Sequence, residues 1–224
     1  MENMERHPVP QTARIRVTEE LLLTVQPKRV LEIGAGDHSF KGVYRGRQGV
    51  EWITADLAPP CDIQIDLNRP EVSIPLDAES VDLVLATEFL EHLLWPHALL
   101  KECRRLLDTG GRLLISVPNA VSLSYRLAWL FGKLPSCAAC GNLPPPLGET
   151  SYVLDSGDTI AGHVIDFNLT RLKGLLDFCG FEPLAILANG IYWHRQILPA
   201  WMLPASFSSN LIVLAGRRTE RAGQ

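Results

Sequence analysis

The sequence predicts an open, mostly parallel α/β sheet, and three observations carry that prediction. "VLEIGAGDHSF" (30–40) is an apolar strand that runs straight into a glycine turn. "SVDLVLAT" (80–87) is a near-continuous apolar run, the pattern of a strand covered on both faces. The chain reads as strands joined by turns, then a helix and a further strand, the rhythm of a wound α/β fold.

Taken in order, residues 1–11 ("MENMERHPVPQ") are polar with two prolines and read as a loose arm. From Thr12 to Gln26 the pattern is helical, with Ile15, Leu22 and Val25 on one face and Glu19 and Glu20 opposite; Pro27 ends it. "RVLEI" (29–33) is the first strand. "VEWITADL" (50–57) and "CDIQIDL" (61–67) are the second and third, with Asp56 and Asp66 near their ends. Only Ala58, Pro59 and Pro60 separate them, so the usual crossover helix is missing or reduced to a turn.

After the fourth strand, "LWPHALLKECRRLLDTGG" puts Pro96 near a helix start, where a missing N–H costs little. Leu99, Leu100, Cys103, Leu106 and Leu107 follow at helical spacing, and Gly110-Gly111 are expected to stop the helix before the strand "RLLISVP" (112–118). Beyond Asn119, "SLSYRLAWLFGKL" (122–134) reads as an amphipathic helix. Residues 135–162 are rich in Pro, Gly, Ser and Cys without a period: a substrate lid or a poorly ordered insertion. "NLTRLKGLLDFCGF" (168–181) restores a helix closed by Gly180. Two strands finish the sheet, "EPLAILA" (182–188) and "NLIVLAG" (210–216), joined by the aromatic segment 191–207.

The expected organisation is therefore an N-terminal arm and helix (1–26), a cofactor-binding half (27–119), an insertion shaping an acceptor pocket (120–167), a C-terminal helix and strands (168–216) and a tail (217–224). No internal repeat is visible.

Composition narrows the class. Of 224 residues, 46% are hydrophobic and 21% charged, enough for one well-buried core. A net charge of −4 gives no basic surface for nucleic acid. Five cysteines at irregular spacing make no disulfide framework, and "CAAC" (137–140) has no second pair at zinc spacing. No secretory signal opens the chain, and no apolar run approaches the roughly 18 residues of a membrane span. A cytoplasmic protein is expected; peripheral membrane association and any oligomeric state stay open.

The glycine turn is the first chemical clue. A nicotinamide fingerprint, G-x-G-x-x-G, would place its last glycine at position 39, which is Ser39. Glu32, two residues before Gly34, is a poor neighbour for a pyrophosphate and suits a ligand carrying positive charge. Gly34 and Gly36 let backbone approach a ligand closely. An altered dinucleotide loop, a loop for another cofactor and an ordinary tight turn all remain open on these residues. Asp56 ends the second strand about 20 residues on, where a carboxylate can accept both hydroxyls of a ribose; it can equally cap the Pro59-Pro60 turn. Asp66 can receive an adenine amino group or cap the turn "NRP".

The ordered series "VLEIGAGDHSF", "ITADL", "IDL", "IPLDAESVDLVLATEFLEHL", "LLKECRRLLDTGGRLLISVPN" and "HVIDFNLTRLKGLLDFCGF" resembles the class I S-adenosylmethionine-dependent methyltransferases, in particular their type 11 group. It covers roughly residues 28 to 188. The resemblance implies a Rossmann-like, mostly parallel seven-stranded sheet with an antiparallel last strand, flanked by helices. It also implies S-adenosylmethionine as cofactor, with S-adenosylhomocysteine as product. Carried over residue by residue, Glu32, Gly34, Ala35 and Gly36 match the loop around the methionine part. Asp56 and Leu57 match the ribose and adenine positions, and Asp66 and Leu67 the adenine edge. Thr87 and Glu88 match the segment near the amino group and sulfonium. Two departures stand out: His38 occupies the place where the family often has a third glycine, and the helix between the second and third strands is almost absent.

The resemblance implies methyl transfer, most simply to oxygen, on a small-molecule, sugar or lipid-linked glycan acceptor. His92 in "EFLEHL" and His163 in "AGHVIDF" are the candidate bases, each with packing or capping as the alternative. Glu88, Glu91 and His92 fall at i, i+3 and i+4, on one face of a helix; no metal is expected there or at "CAAC". Tyr192, Trp193, Trp201, Met202 and Phe207, with Trp129, Leu130 and Phe131, face an apolar acceptor, or else pack on the sheet or form a dimer surface. Two other readings remain: a non-catalytic cofactor-binding or scaffold protein, and an NAD(P)-dependent oxidoreductase.

Overall fold

The structure is a computed structural model that describes residues 9–36, 39–45, 49–134, 138, 152–153, 159–160, 162–193, 195–198 and 204–218. Helix α1 (Val9–Leu22) leads into β1 (Arg29–Ile33), β2 (Glu51–Asp56), β3 (Ile63–Gln64) and β4 (Val81–Thr87). Then come α2 (Pro96–Leu106), β5 (Leu107–Pro118), α3 (Leu123–Leu130), β6 (Tyr152–Val153) and β7 (Thr159–Ile160). The chain closes with α4 (Leu169–Phe178), β8 (Phe181–Ala188), β9 (Ile191–Trp193), β10 (Arg195–Leu198) and β11 (Asn210–Arg217). Seven strands form one sheet in the order β3-β2-β1-β4-β5-β11-β8. The pairs from β3 to β5 are parallel, and β11 runs antiparallel to both β5 and β8. This is the expected seven-stranded sheet with its last strand reversed.

Period-two alternation splits the core between the two faces. Leu31 and Ile33 of β1, Val84 and Ala86 of β4, Leu113, Ile115 and Val117 of β5, and Leu211, Val213 and Ala215 of β11 point to one face. There they meet Leu99, Leu100, Cys103 and Leu106 of α2 and Leu172, Leu176 and Cys179 around α4. Val30, Leu83, Leu85, Leu114, Ile212 and Leu214 point to the other, against Leu21 and Leu22 of α1 and Phe40, Tyr44 and Trp52. Phe40 and Tyr44 lie on a short 3-10 turn (Phe40–Tyr44), and the Tyr44 hydroxyl donates to the Leu22 carbonyl at 2.6 Å, tying that turn to the end of α1.

Four expectations are corrected. Helix α1 begins at Val9, so part of the predicted arm is helical, with Pro10 in the first turn where no N–H is needed; residues 1–8 lie outside the described residues. Strand β3 has two residues because the chain between Asp56 and Ile63 is folded back by side chains: Thr54 N and Oγ1 both donate to Asp62 Oδ2 at 2.8 Å. These bonds hold the Asp62 carboxyl below its ordinary range. Third, Gly110-Gly111 do not stop α2. The backbone turns extended at Leu107, and the glycines sit in a bulge of β5, since Val81 pairs with Leu107 but Leu83 with Arg112. Asp108 Oδ1 accepts the Gly110 N–H at 2.9 Å inside that bulge. Fourth, the connection 191–207 contains an antiparallel hairpin, β9 with β10.

Of the 120–167 segment, α3 is shorter than expected and β6 pairs antiparallel with β7. Cys137, Cys140 and most of 135–161 lie outside the described residues. No helix among the described residues is long and apolar enough to cross a membrane.

Helix α4 begins on Asn168, whose side chain accepts the Arg171 N–H at 2.8 Å. Asn168→Ala leaves that N–H without its cap, so urea unfolding should show a loss of about 1 kcal/mol; an unchanged midpoint would remove the cap from the account.

Candidate active site

Strand order reverses about β1, between β2 on one side and β4 on the other, so the carboxyl ends of β1, β2 and β4 border a crevice of the kind in which open α/β sheets bind ligands. Most of the residues singled out from the sequence lie along this edge.

Glu32 is only 3% exposed and spends both oxygens inside the protein. Oε2 accepts from Ser39 Oγ at 2.5 Å and from Trp52 Nε1 at 2.8 Å; Oε1 accepts the Phe40 N–H at 2.8 Å. It therefore does not reach out to a positively charged ligand as its strand-end position suggested; it folds the loop from Gly34 to Phe40 back onto β1 and β2. Ser39, the residue that spoils the dinucleotide fingerprint, has two tasks here: it donates to Glu32 and accepts the Lys41 N–H at 3.2 Å, starting the 3-10 turn. Asp37 and His38 lie outside the described residues.

Gly34 has φ +64 and Gly36 φ +48. A Cβ at Gly34 would lie 2.2 Å from Cδ2 of Phe89, so this glycine lets the ring just past β4 pack directly on the loop. At Gly36 a Cβ would meet nothing within 4 Å, and only the left-handed backbone requires glycine. Between them Ala35 is half-buried.

Asp56 lies across from the loop. Its Oδ2 accepts the Gly36 N–H at 3.3 Å and its Oδ1 the Leu57 N–H at 2.7 Å, joining the ends of β1 and β2 while the carboxylate stays half-exposed. The Leu57 side chain is 48% exposed and available to cover a flat ring. Asp66 is turned to its own loop, accepting from Asn68 N at 2.9 Å and Arg69 Nε at 3.0 Å, and Leu67 is buried in the core.

Thr87 ends β4 in register with Ser116 of β5. Glu88 follows with φ +51, a left-handed conformation for a residue with a side chain. Its N–H donates to the Ser116 carbonyl at 2.8 Å, and its carboxylate accepts from Ser116 Oγ and Asn210 Nδ2, both at 2.8 Å. Arg14 Nε of α1 lies 3.9 Å away. The expected helical face of Glu88, Glu91 and His92 does not form, because Glu88 is left-handed and only Leu90–His92 turn, as one 3-10 turn.

A different trio assembles instead. Glu91, His92 and His163 each offer a ligand-type atom, and these atoms all lie within 4.8 Å of one another. Glu91 is 1% exposed; burial and the nearby Glu88 charge push its carboxyl well above the usual range. His163 Nε2 is 3.9 Å from Glu91 Oε1, and the two imidazole rings meet edge to face at 4.9 Å. The Val164 and Ile165 N–H groups donate to the Glu91 carbonyl at 2.8 and 3.2 Å, which fixes the return of the chain beside it. The candidate bases are thus brought together.

The aromatic expectation resolves only in part. Leu130 and Phe131 are 76% and 75% exposed rather than packed on the sheet. Phe207 lies under the Arg126 guanidinium at 4.4 Å. The side chains of Tyr192, Trp193, Trp201 and Met202 lie outside the described residues. The sequence reading missed Trp52, Phe89, Ser116, Asn210 and Arg14. Of these, only Trp52 carried a signal, a polar-edged aromatic on a strand facing the acid of β1.

Two substitutions test the loop. Gly34→Ala should cost about 1–2 kcal/mol for its backbone alone, more while Phe89 is in place, and Phe89→Leu should recover part of the loss in the double variant. Ser39→Ala should cost about 1–3 kcal/mol by leaving Glu32 short of a donor. Guanidinium unfolding measures both, and stabilities equal to the parent would contradict the packing described.

Comparison with known proteins bears on the family and the fold. A family model described as "Methyltransferase domain" matches residues 6–186. The ubiquinone biosynthesis O-methyltransferase of Xanthomonas oryzae pv. oryzae (strain PXO99A) is 33% identical over 113 residues, 45% of this chain and 47% of the relative. That of Cereibacter sphaeroides (strain ATCC 17029 / ATH 2.4.9) is 31% identical over 124 residues, 48% of this chain and 50% of the relative. The chain thus spans about half the length of these curated relatives. Among solved structures, the Burkholderia thailandensis 1,6-didemethyltoxoflavin-N1-methyltransferase, with S-adenosylhomocysteine bound, superposes with a TM-score of 0.54 at 16% identity, covering 94% of this chain and 80% of that one. An Archaeoglobus fulgidus SAM-dependent methyltransferase gives 0.55 at 16% identity, covering 93% and 94%. At that identity the likeness shows the fold alone. The chain belongs to the methyltransferase domain family, S-adenosylmethionine-dependent proteins of the class I fold.

Proposed function

We propose that the chain transfers the methyl group of S-adenosylmethionine to a hydroxyl oxygen of a small-molecule, sugar or lipid-linked glycan acceptor. The observation that carries the cofactor half of this reading is Asp56: a half-exposed carboxylate at the end of β2, hydrogen-bonded to Gly36 N, opposite a loop whose backbone is open to a ligand. Oxygen as the methylated atom is supported by the polar group Glu91, His92 and His163 at the same edge, and by relatives whose names describe O-methyltransferases.

Asp56 receives the two ribose hydroxyls, Leu57 covers one face of the adenine, and Asp66 with the Leu67 backbone borders its edge. Gly34, Ala35 and Gly36 lie along the methionine part, and Glu32 acts through them by holding the loop. The backbone of Thr87 and Glu88 borders the amino group and sulfonium. The reaction is an in-line displacement. The sulfonium S–CH3 bond breaks with its electron pair going to sulfur, the acceptor oxygen forms the new bond, and the hydroxyl proton leaves toward His92 or His163. Since the donor is already activated, alignment and exclusion of water supply most of the acceleration.

A nicotinamide cofactor is disfavoured by family membership and by Ser39, which is tied to Glu32 where the fingerprint needs a glycine. The non-catalytic reading differs only in turnover.

Isothermal titration with S-adenosylmethionine should give one site per chain, and NADH none. Asp56→Ala should weaken that site by more than about tenfold, from a charge-assisted contact worth roughly 1.5–3 kcal/mol; unchanged affinity would remove Asp56 from the site. Transfer of a labelled methyl group to a panel of phenols, catechols and sugars should reveal an acceptor, whereas binding without transfer to any of them would favour the non-catalytic protein.

A further inference from the structure

Trp52, one of the three donors to Glu32, also borders a cavity outside the crevice. This cavity measures about 350 Å³ and is lined by Lys41, Gly42, Tyr44, Arg45, Val50 and Trp52. Tyr44 and Trp52 are buried, with ring centroids 5.7 Å apart and planes tilted by 45°. Their polar ends are already committed: the Tyr44 hydroxyl donates to the Leu22 carbonyl and the Trp52 indole N–H to Glu32. Both residues therefore offer the cavity ring carbon rather than a polar atom. A Cβ at Gly42 would meet nothing within 4 Å, so glycine leaves this wall open.

Two cations complete the lining. Lys41 lies on the 3-10 turn and Arg45 just past it, both exposed. Among the described residues neither charged group has a hydrogen-bond or ion-pair partner. Asp62 does not neutralise Lys41: its carboxyl is held low first by its two bonds to Thr54 and least by the Lys41 charge. On a chain of net charge −4, two unpaired cations beside an apolar floor are a local exception. Ligand pockets run from about 300 to 1,000 Å³. This cavity falls at the small end, with room for one ring and not for a nucleotide.

We infer that the cavity binds a small aromatic anion, a single ring bearing a carboxylate or phosphate, with the ring against Tyr44 and Trp52 and the anion on Lys41 and Arg45. Offset or edge-to-face contact suits the ring, and guanidinium and ammonium donors suit the oxygens. The site stands on these side chains alone. Its effect on the cofactor rests on the function proposed above. A ring packed on Trp52 holds the indole against Glu32 and so steadies the loop that Glu32 folds back. By linkage, the anion and S-adenosylhomocysteine then tighten one another by the same factor.

The test uses the full chain labelled with 15N, following the assigned indole N–H signal of Trp52 in the absence of cofactor. The probes are phenylacetate and phenyl phosphate, with benzyl alcohol as the ring without charge and inorganic phosphate as the anion without a ring. A saturable shift of the Trp52 signal by either aromatic anion, with neither control matching it, supports the site and tells carboxylate from phosphate. The double variant Lys41→Ala/Arg45→Ala changes only exposed side chains, so it should keep its thermal midpoint and weaken the probe at least about tenfold. No saturable shift at Trp52, equal binding of either control, or unchanged affinity in the double variant would each overturn the site. Calorimetric titration with S-adenosylhomocysteine, with and without saturating probe, then reads the coupling. Tighter binding with the probe supports it, and equal or weaker binding overturns it. A chain that binds the probe but no S-adenosylhomocysteine contradicts the proposed function and leaves the cavity site intact.

Discussion

A buried carboxylate, Glu32, holds together the loop that we propose receives the cofactor. Its three donors come from three places: the loop hydroxyl of Ser39, the backbone of Phe40 at the start of a 3-10 turn, and the indole of Trp52 on the neighbouring strand. A carboxylate removed from water costs several kcal/mol unless its lone pairs are filled, and charge-assisted bonds of this kind are among the strongest in proteins. The loop must therefore fold back to satisfy the acid, which shapes the Gly34–Gly36 backbone before any ligand arrives. Phe89 packed on Gly34 supports the same loop from the side of β4.

A second carboxylate, Glu88, plays the corresponding part on the other side of the crevice. Its left-handed backbone turns the chain sharply off β4, and its side chain gathers Ser116 from β5, Asn210 from β11 and Arg14 from α1. The reversal of strand order opens the crevice, and these two acids give it fixed walls. Glu91 differs from both: it is 1% exposed, and among the described residues neither of its carboxylate oxygens has a hydrogen-bond partner on another residue.

The strands were legible where burial was simple. The continuous apolar run of β4 gave its strand to within a residue, and the helical spacing of α2 gave its start at Pro96 but not its end at Leu106. The elements that went unread depend on particular partners. The shortness of β3 follows from Thr54 closing on Asp62, and the fate of Gly110-Gly111 follows from the register of β5 against β4. The same contrast holds in the site. Asp56 could be placed at the end of the second strand, across from the glycine loop, from spacing alone. The clamp on Glu32 could not, since nothing in "VLEIGAGDHSF" says that its acid turns inward to Trp52. Nor does "EFLEHL" reveal that Glu91 and His92 meet His163, which reaches them only after the whole 120–167 segment.

The central claim is that a loop pre-shaped by Glu32 and faced by Asp56 is the nucleoside site. Its most direct test is a crystal structure of the full chain with S-adenosylhomocysteine. The account predicts both ribose hydroxyls within hydrogen-bond distance of the Asp56 carboxylate, with Glu32 still holding Ser39, Phe40 and Trp52. A nucleoside bound elsewhere, or a Glu32 released from its three donors to contact the ligand, would contradict it.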